Sequence, residues 1–489
     1  MTINMKLNEF TIKEVVKGLE EKRFSSLDVT KDCLNSIKKQ EKDLNAFITV
    51  TEELVLKQAK ESDSRRAKGG TLSTLDGVPV AIKDNMAVKD FPTTAGSKIL
   101  EDFVPSYDAF VVQKLKESGA VIIGKTNMDE FAMGSSTESS HFGSTKNPHD
   151  LERVPGGSSG GSAVAVAADE AICALGSDTG GSIRQPASFC GVVGFKPTYG
   201  AVSRNGLFAM ASSLDQIGPI TKTVEDAEIL FENICDYDKK DSTSNEKGIE
   251  TVGKNNGNID LKNLKVGVLK DGFGDGVEDG VKKNVVETVE RLKKEGAIVE
   301  EIDIEVLKYA LAVYYVLMPV EVSSNLGRYD GIKYGYSVEK EKDIEIKNLL
   351  DVYSKSRTKG FGAEAKRRII LGAYASSAGY IDQYYLQAKK VAVKIRQEFD
   401  KIFENYDVII SPTAPTTAFK LGEKSDPLSM YLGDIFTVPA NIAGLPSISI
   451  PCGKVDGLPV GLQITGQRWE DKKVLSIARA IEKVISGQE

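Results

Sequence analysis

Histidine is almost absent from this chain. There are two among 489 residues, His141 and His149, both in the polar segment HFGSTKNPHD. A Ser-His-Asp triad needs an imidazole to take the serine proton, so that triad is short of candidates, and both histidines read more readily as surface or structural residues. The five cysteines, Cys33, Cys173, Cys190, Cys235 and Cys452, are scattered without a CxxC pair, and no HExxH occurs. A zinc hydrolase is therefore not expected, nor any other metal site, and a reducing, cytoplasmic setting is. A hydrolase built from this sequence would take its base from a carboxylate or a lysine.

Long apolar runs are missing too. No stretch of eighteen consecutive apolar residues exists, so neither a membrane span nor a membrane partner is expected. Acidic residues interrupt the N-terminal MTINMKLNEFTIKEVVKGLEEKRFSS, which lacks the pattern of a signal peptide. Positive charge is in deficit: 63 Lys and Arg against 70 Asp and Glu leave a net charge of −7. Such a chain is a poor candidate for gripping a nucleic-acid backbone by itself, although Lys366-Arg367-Arg368 makes one local basic patch. Apolar residues at 41% and charged residues at 27% are ordinary for a globular protein.

What is present has the rhythm of an α/β fold. Residues 8–65 read as helical, with Ser25-Ser26-Leu27-Asp28 as a helix start before Val29, Cys33 and Ile37. From about 75 to 235, short apolar runs alternate with helical patterns. LDGVPVAIKDN and AVIIGKTN read as strands around the helix DAFVVQKLKESG. Residues 238–263 are polar and low in complexity, the profile of a mobile surface loop. LKVGVLK, VEDGVKKNVVETVERLKKEG and AIVEEIDI form a further strand-helix-strand unit, and residues 305–405 read as a tyrosine-rich helical insertion over a site. Late strands DVIISPTAP, LPSISIPCG and LPVGLQITG then imply one sheet that draws on both ends of the chain. The expectation is a single domain over 1–489, with an N-terminal helical segment over 1–70.

Two glycine-rich stretches are decoys. DGFGDGVEDG has the sixth-position glycine of a calcium loop at Gly276, but position twelve is Lys282 rather than Glu, so it reads as a strand-to-helix turn. PGGSSGGSA lacks the Gly-Lys-Ser/Thr that would close a phosphate loop.

Chemistry concentrates between Pro155 and Pro197. Gly156-Gly157-Ser158-Ser159-Gly160-Gly161-Ser162 and Gly180-Gly181-Ser182 flank a short apolar run. Glycine lets backbone N–H groups turn toward a ligand, and serine supplies a hydroxyl that attacks or relays protons. Upstream, Val78-Pro79-Val80-Ala81-Ile82-Lys83 reads as a buried strand with a lysine at its tip. Burial disfavours the ammonium and makes the amine a usable base, although a snorkelling lysine at a strand end is the commoner case.

Lys83, the GGSSGGSA cluster and the SDTGGSIRQP cluster together resemble the amidase signature family, over most of the chain. The resemblance implies a mixed central β-sheet wrapped by helices and a Ser–cis-Ser–Lys triad. Lys83 would be the base, Ser158 the bridging serine after a cis Gly157–Ser158 peptide, and Ser182 the nucleophile. Backbone N–H groups from Thr179, Gly180, Gly181 and Ser182 would hold the oxyanion. The runs FAMGSSTESSHFGSTKNPHDLERVPGGSSGGSA, KRRIILGAYASSAGYIDQYY and DPLSMYLGDIFTVPANIAGLPSISIPCG are similar to the glutamine-dependent, tRNA-linked amidotransferases of that family. On that branch Asp434 would bind the α-ammonium of glutamine and Arg367 or Arg368 its α-carboxylate, with one arginine facing inward. Tyr314 or Tyr315 would line the pocket. The implied role is in protein biosynthesis. Ammonia from glutamine passes to B and C partner subunits, of which B carries most of the Glu-tRNA(Gln) binding. The partners use ATP and Mg, and this chain carries no cofactor. The alternative is a stand-alone amidase acting on another small amide.

Overall fold

The computed structural model describes residues 6–253, 257, 259–424 and 426–487. Eleven strands form one mixed sheet: β1 (Phe47–Val50), β2 (Pro79–Lys83), β3 (Val121–Thr126), β4 (Cys173–Asp178), β5 (Val193–Lys196), β6 (Gln216–Thr221), β7 (Lys265–Leu269), β8 (Ile298–Ile302), β9 (Val408–Pro412), β10 (Ser447–Val455) and β11 (Leu458–Gly466). Their order is β1-β3-β2-β4-β6-β5-β10-β11-β9-β7-β8. β2 runs parallel to β3 and β4, β7 runs parallel to β8 and β9, and the other neighbours are antiparallel. The expected mixed sheet with helices around it is what the chain adopts. β2, β3, β4 and β6 are buried along their whole length, as continuous apolar runs require when both faces are covered.

The first helices pack by amphipathic periodicity. α1 (Ile12–Glu20) is followed by α2 (Ser26–Leu44), where Ser25 and Asp28 form a capping box: Ser25 Oγ accepts from Asp28 N at 3.1 Å, and Asp28 accepts from Ser25 N at 2.9 Å. A cap of this kind contributes about 1 kcal/mol. Val29, Cys33 and Ile37 lie on the buried face of α2. α3 (Glu52–Ala67) completes this layer. The reading of 8–65 as helical misses β1. Its four residues are too short a run to declare a period, and they are strand because they pair antiparallel with β3.

Further along lie α4 (Phe110–Glu117), α5 (Gly160–Ala167), α6 (Arg184–Cys190) and α7 (Val224–Ile234). Residues 238–263 differ from the expected open loop. They contain α8 (Lys247–Gly253), whose Gly248 packs against Ala201 and whose Thr251 is buried. Positions 254–256 and 258 lie outside the described residues. After α9 (Asp279–Lys294), the 305–405 segment builds α10 (Ala310–Asn325), α11 (Leu349–Gly360), α12 (Ala363–Ala375) and α13 (Tyr385–Ile402). One helical stretch, Glu305–Arg328, is long and apolar enough to cross a membrane by length and composition. Its Val313, Tyr314, Leu317, Met318 and Val322 are buried inside the protein. The chain closes with α14 (Pro427–Tyr431), α15 (Val438–Ala443) and α16 (Asp471–Ser486).

Candidate active site

Parallel pairing of β2 with β4 sets the site. Ile82 pairs with Leu175, so Lys83 at the tip of β2 falls beside Ser177 near the tip of β4. Lys83 is fully buried. Its Nζ donates to Ser158 Oγ at 2.7 Å, Ser159 Oγ at 2.9 Å, Ser177 Oγ at 3.0 Å and Ser177 O at 3.3 Å. Burial pulls the Lys83 pKa down to about 7, against the opposing pull of the carboxylates of Asp129, Asp178 and Asp215. Neutral amine is therefore available near neutral pH. The Gly157–Ser158 peptide is cis.

Ser182 follows β4 by four residues and retains 8% exposure beside the fully buried Ser158 and Ser159. Its carbonyl accepts from Ser159 N at 3.1 Å, which ties the two serine loops together. Among the described residues no hydrogen bond joins Ser158 Oγ to Ser182 Oγ. Of the three residues in the expected triad, Lys83 and Ser158 are thus joined, and Ser182 is the one with some exposure. Contacts of this kind tighten when substrate is bound.

The loop from Thr179 to Ser182 is held from below by a buried ion pair. Asp178 accepts from Arg184 Nη2 and Nε at 3.0 Å each, from Asn441 Nδ2 at 2.8 Å, and from the amides of Gly181 at 2.9 Å and Ile183 at 3.2 Å. Although burial alone would raise the Asp178 pKa, the Arg184 charge and its hydrogen bonds bring it down to about 2, so the pair stays ionised. This refines the four expected oxyanion donors. The Gly181 N–H is already committed to Asp178, while those of Thr179, Gly180 and Ser182 have no protein acceptor among the described residues. Gly181 has φ +135°, a conformation that favours glycine, and a Cβ there would sit 2.2 Å from Thr437 Oγ1. A Cβ on Gly180 would sit 2.7 Å from the Tyr314 ring.

Of the other expected residues, Asp434 and Tyr314 lie beside this loop, and Tyr315 and Arg368 follow on from them. Thr437 Oγ1 donates to Gly180 O at 2.6 Å and to Asp434 O at 3.1 Å, so Asp434 is anchored beside the nucleophile loop. The Asp434 carboxylate accepts from Ser135 Oγ and Tyr315 OH, each at 3.1 Å. Burial raises its pKa to about 7. Tyr314 meets Tyr315 edge-on at 5.0 Å, and Tyr315 stacks on Tyr431 at 3.9 Å. The two arginines part as their adjacent places on α12 require. The Arg368 side chain is 4% exposed and lies over the Tyr315 and Tyr431 rings, whereas that of Arg367 is 43% exposed. Arg368 Nε donates to Glu364 at 2.7 Å, and Arg367 also pairs with Glu364. A cleft of about 370 Å³ opens here, bordered by Ser135, Glu364, Arg367, Arg368, Met430 and Tyr431.

Neither histidine joins this constellation. His149 Nε2 is within 2.9 Å of Cys190 O, and His141 faces Glu101 at 3.4 Å. No group of three metal-ligating side chains occurs among the described residues. Sequence reasoning passed over Asp178, Arg184, Ser159, Ser177 and Asn85. The first two carried a signal: opposite charges on either side of Gly180-Gly181-Ser182. The others carried none, because Ser159 and Ser177 meet Lys83, and Asn85 meets Ser177, only in the folded chain.

A family model described as Amidase matches residues 28–475. The chain belongs to the amidase family. This amidase is 54% identical over 483 residues to the A-subunit of glutamyl-tRNA(Gln) amidotransferase from Thermoanaerobacter pseudethanolicus, covering 98% of this chain and 97% of that one. Among solved structures it resembles the corresponding glutamyl-tRNA(Gln) amidotransferase A-subunit of Thermotoga maritima, with 44% identity, a TM-score of 0.81 and coverage of 99% and 96%. Native peptide amidase of Stenotrophomonas maltophilia shares the fold at 28% identity, with a TM-score of 0.81 and 98% of each chain covered.

Proposed function

We propose that this amidase is the glutamine-hydrolysing subunit of a tRNA-dependent amidotransferase. Neutral Lys83 takes the Ser158 proton as Ser158 takes that of Ser182, and Ser182 attacks the side-chain amide of glutamine. The free amides of the nucleophile loop hold the oxyanion, and losing one such donor typically costs about 3 kcal/mol. The amide nitrogen takes the proton back through the same relay and leaves as ammonia, and water releases glutamate from the acyl-enzyme.

The observation that carries the choice of substrate is the pair Asp434 and Arg368, both against Tyr315, with Asp434 anchored to the Thr179–Ser182 loop through Thr437. Arg368 and Ser135 border the cleft and the Asp434 carboxylate sits behind Ser135, a placing of opposite charges that suits an α-amino acid, whose ammonium and carboxylate they would pair. The names of the similar proteins support the same reading. B and C partner subunits would bind Glu-tRNA(Gln), use ATP and Mg in a cytoplasmic complex, and turn the released ammonia into Gln-tRNA(Gln).

The second reading, a stand-alone amidase, is favoured by the likeness to a peptide amidase at 28% identity. One assay separates the two. Partner subunits with activated tRNA are supplied with glutamine or ammonium, with and without this chain. Ammonium should support amidation without the chain, whereas glutamine should require it. Glutamine-dependent product in the chain's absence sinks the proposal.

A further inference from the structure

With Ser177 O farther off at 3.3 Å, the nearest acceptors of Lys83 Nζ are three hydroxyls, Ser158 Oγ at 2.7 Å, Ser159 Oγ at 2.9 Å and Ser177 Oγ at 3.0 Å. They match the three N–H bonds of an ammonium. When the lysine is neutral, one of these positions holds a lone pair instead. The relay works only if that lone pair faces Ser158. Which position it takes depends on where each serine can send its own proton.

Ser159 has an outlet, because its Oγ donates to Ser177 O at 3.1 Å. It can accept from Lys83 in either charge state. Besides Lys83, Ser177 Oγ has one other side-chain partner among the described residues, the Asn85 carboxamide, whose Nδ2 lies 2.9 Å away. Asn85 is 2% exposed, and its Oδ1 has no hydrogen-bond partner among those residues. With nitrogen toward Ser177, the Ser177 proton has no side-chain acceptor but the lysine lone pair, which turns the base away from Ser158. A half-turn of the carboxamide exchanges oxygen and nitrogen with almost no change of shape. The oxygen then takes the Ser177 proton, and Ser177 Oγ becomes a fixed acceptor for Lys83.

We propose that Asn85, acting through Ser177, points the lone pair of Lys83 at Ser158, with the carboxamide oxygen accepting the Ser177 proton. Asn85 is a positioning residue, and its role rests on the Lys83–Ser158–Ser182 relay proposed above. In the step it serves, the Ser182 proton moves to Ser158 Oγ as the Ser158 proton moves to Lys83 Nζ. An electron pair of the Ser182 oxygen forms the bond to the amide carbon, and the carbonyl π pair moves onto oxygen. Two of the three N–H sites on Lys83 are spent on Ser159 and Ser177, so the proton gained and lost is the one facing Ser158.

The test follows ammonia release from glutamine across the neutral pH range, using the protein together with whatever subunits copurify with it. Asn85→Leu removes the acceptor and should lower kcat by about tenfold or more with KM unchanged. In a Ser177→Ala background the competing proton is gone, so Asn85→Leu should then cost nothing further. Asn85→Asp keeps an acceptor and adds a negative charge to those of Asp129, Asp178 and Asp215 acting on Lys83. It should stay active with the acidic limb of its pH profile moved to higher pH. A wild-type kcat in Asn85→Leu, additive losses in the double variant, or an unmoved limb in Asn85→Asp overturns the proposal. Should Asn85→Leu fail to fold, Asn85→Asp decides alone. Activity surviving in Lys83→Ala would instead overturn the relay itself.

Discussion

At the residue scale, the site turns on one buried amine and one buried carboxylate. Burial brings the Lys83 pKa down to about 7, and the proposed relay needs the unprotonated amine, so kcat should fall as pH drops below about 7. Lys83→Ala should remove glutamine hydrolysis, and Lys83→Arg should not restore it, because arginine keeps its proton. Ser182→Ala should be inactive with an unchanged unfolding temperature; a tenth of normal activity would rule out Ser182 as nucleophile. Replacing His141 and His149 together should matter much less, since neither contacts the serines or Lys83. Asp434 makes a separate demand. Its carboxyl is raised to about 7, so it protonates as pH falls through that value and loses its attraction for an α-ammonium. KM for glutamine should therefore rise on the acid side. Asp434→Asn should raise KM by the equivalent of about 2–5 kcal/mol while barely slowing attack on a simple activated ester, which has no ammonium. Equal losses on both substrates would make Asp434 a support of the fold.

At the element scale, two helix contacts carry consequences. α12 lies so close to α10 that a Cβ on Gly372 would meet Pro319 O at 1.8 Å. Backbone cannot yield as a flexible side chain would. Gly372→Ala should push α12 outward and displace Arg368, with about 1–3 kcal/mol of destabilisation and a higher KM for glutamine. Unfolding in urea and steady-state kinetics check both parts, and an unchanged KM would separate Arg368 from substrate binding. The second contact joins α2 to the turn before β4. Glu170 there is fully buried with neither carboxylate oxygen hydrogen-bonded among the described residues, and burial, with Glu41 nearby, raises its pKa to about 9. Between the ordinary carboxylate range near 4.5 and about 9, the native protein holds a proton that the unfolded chain has released. Stability must therefore fall as pH rises through that window. Glu170→Gln removes that slope, so its stability relative to wild type should improve from pH 5 to pH 8 by roughly 4 kcal/mol. A difference that stays flat with pH would contradict the buried, protonated state.

At the scale of the whole molecule, charge and topology divide the work. A chain of net charge −7 should bind tRNA weakly by itself, which filter binding with and without partner subunits measures. Tight binding by the isolated chain would reverse the proposed division. The sheet also explains how one site draws on residues hundreds of positions apart. Lys83 comes from β2, Ser177 from β4, Tyr315 from α10, Arg368 from α12 and Asp434 from the turn after α14. The buried Asp178–Arg184 pair then locks the nucleophile loop to Asn441 on α15.

Much of this was legible in sequence, where local chemistry decides. The apolar run that ends in Lys83 announces a buried strand, because only a covered sheet takes uninterrupted hydrophobic segments. The Ser25–Asp28 start announces α2, because the cap is a contact between near neighbours. Glycine beside serine announces a loop able to offer both hydroxyl and amides. What depends on distant pairing was not legible. β1 is a strand only because β3 accepts it, and α8 is ordered where composition suggested an open loop. Arg367 and Arg368 are equivalent until α12 docks on α10 and buries one of them. The ring of Ser158, Ser159 and Ser177 around Lys83 exists only once β2 and β4 are in register. Sequence by itself determined which chemical groups this protein has to work with. Tertiary structure decided which of them lose water and face one another, and burial is what brings the pKa of an ordinary lysine down to about 7.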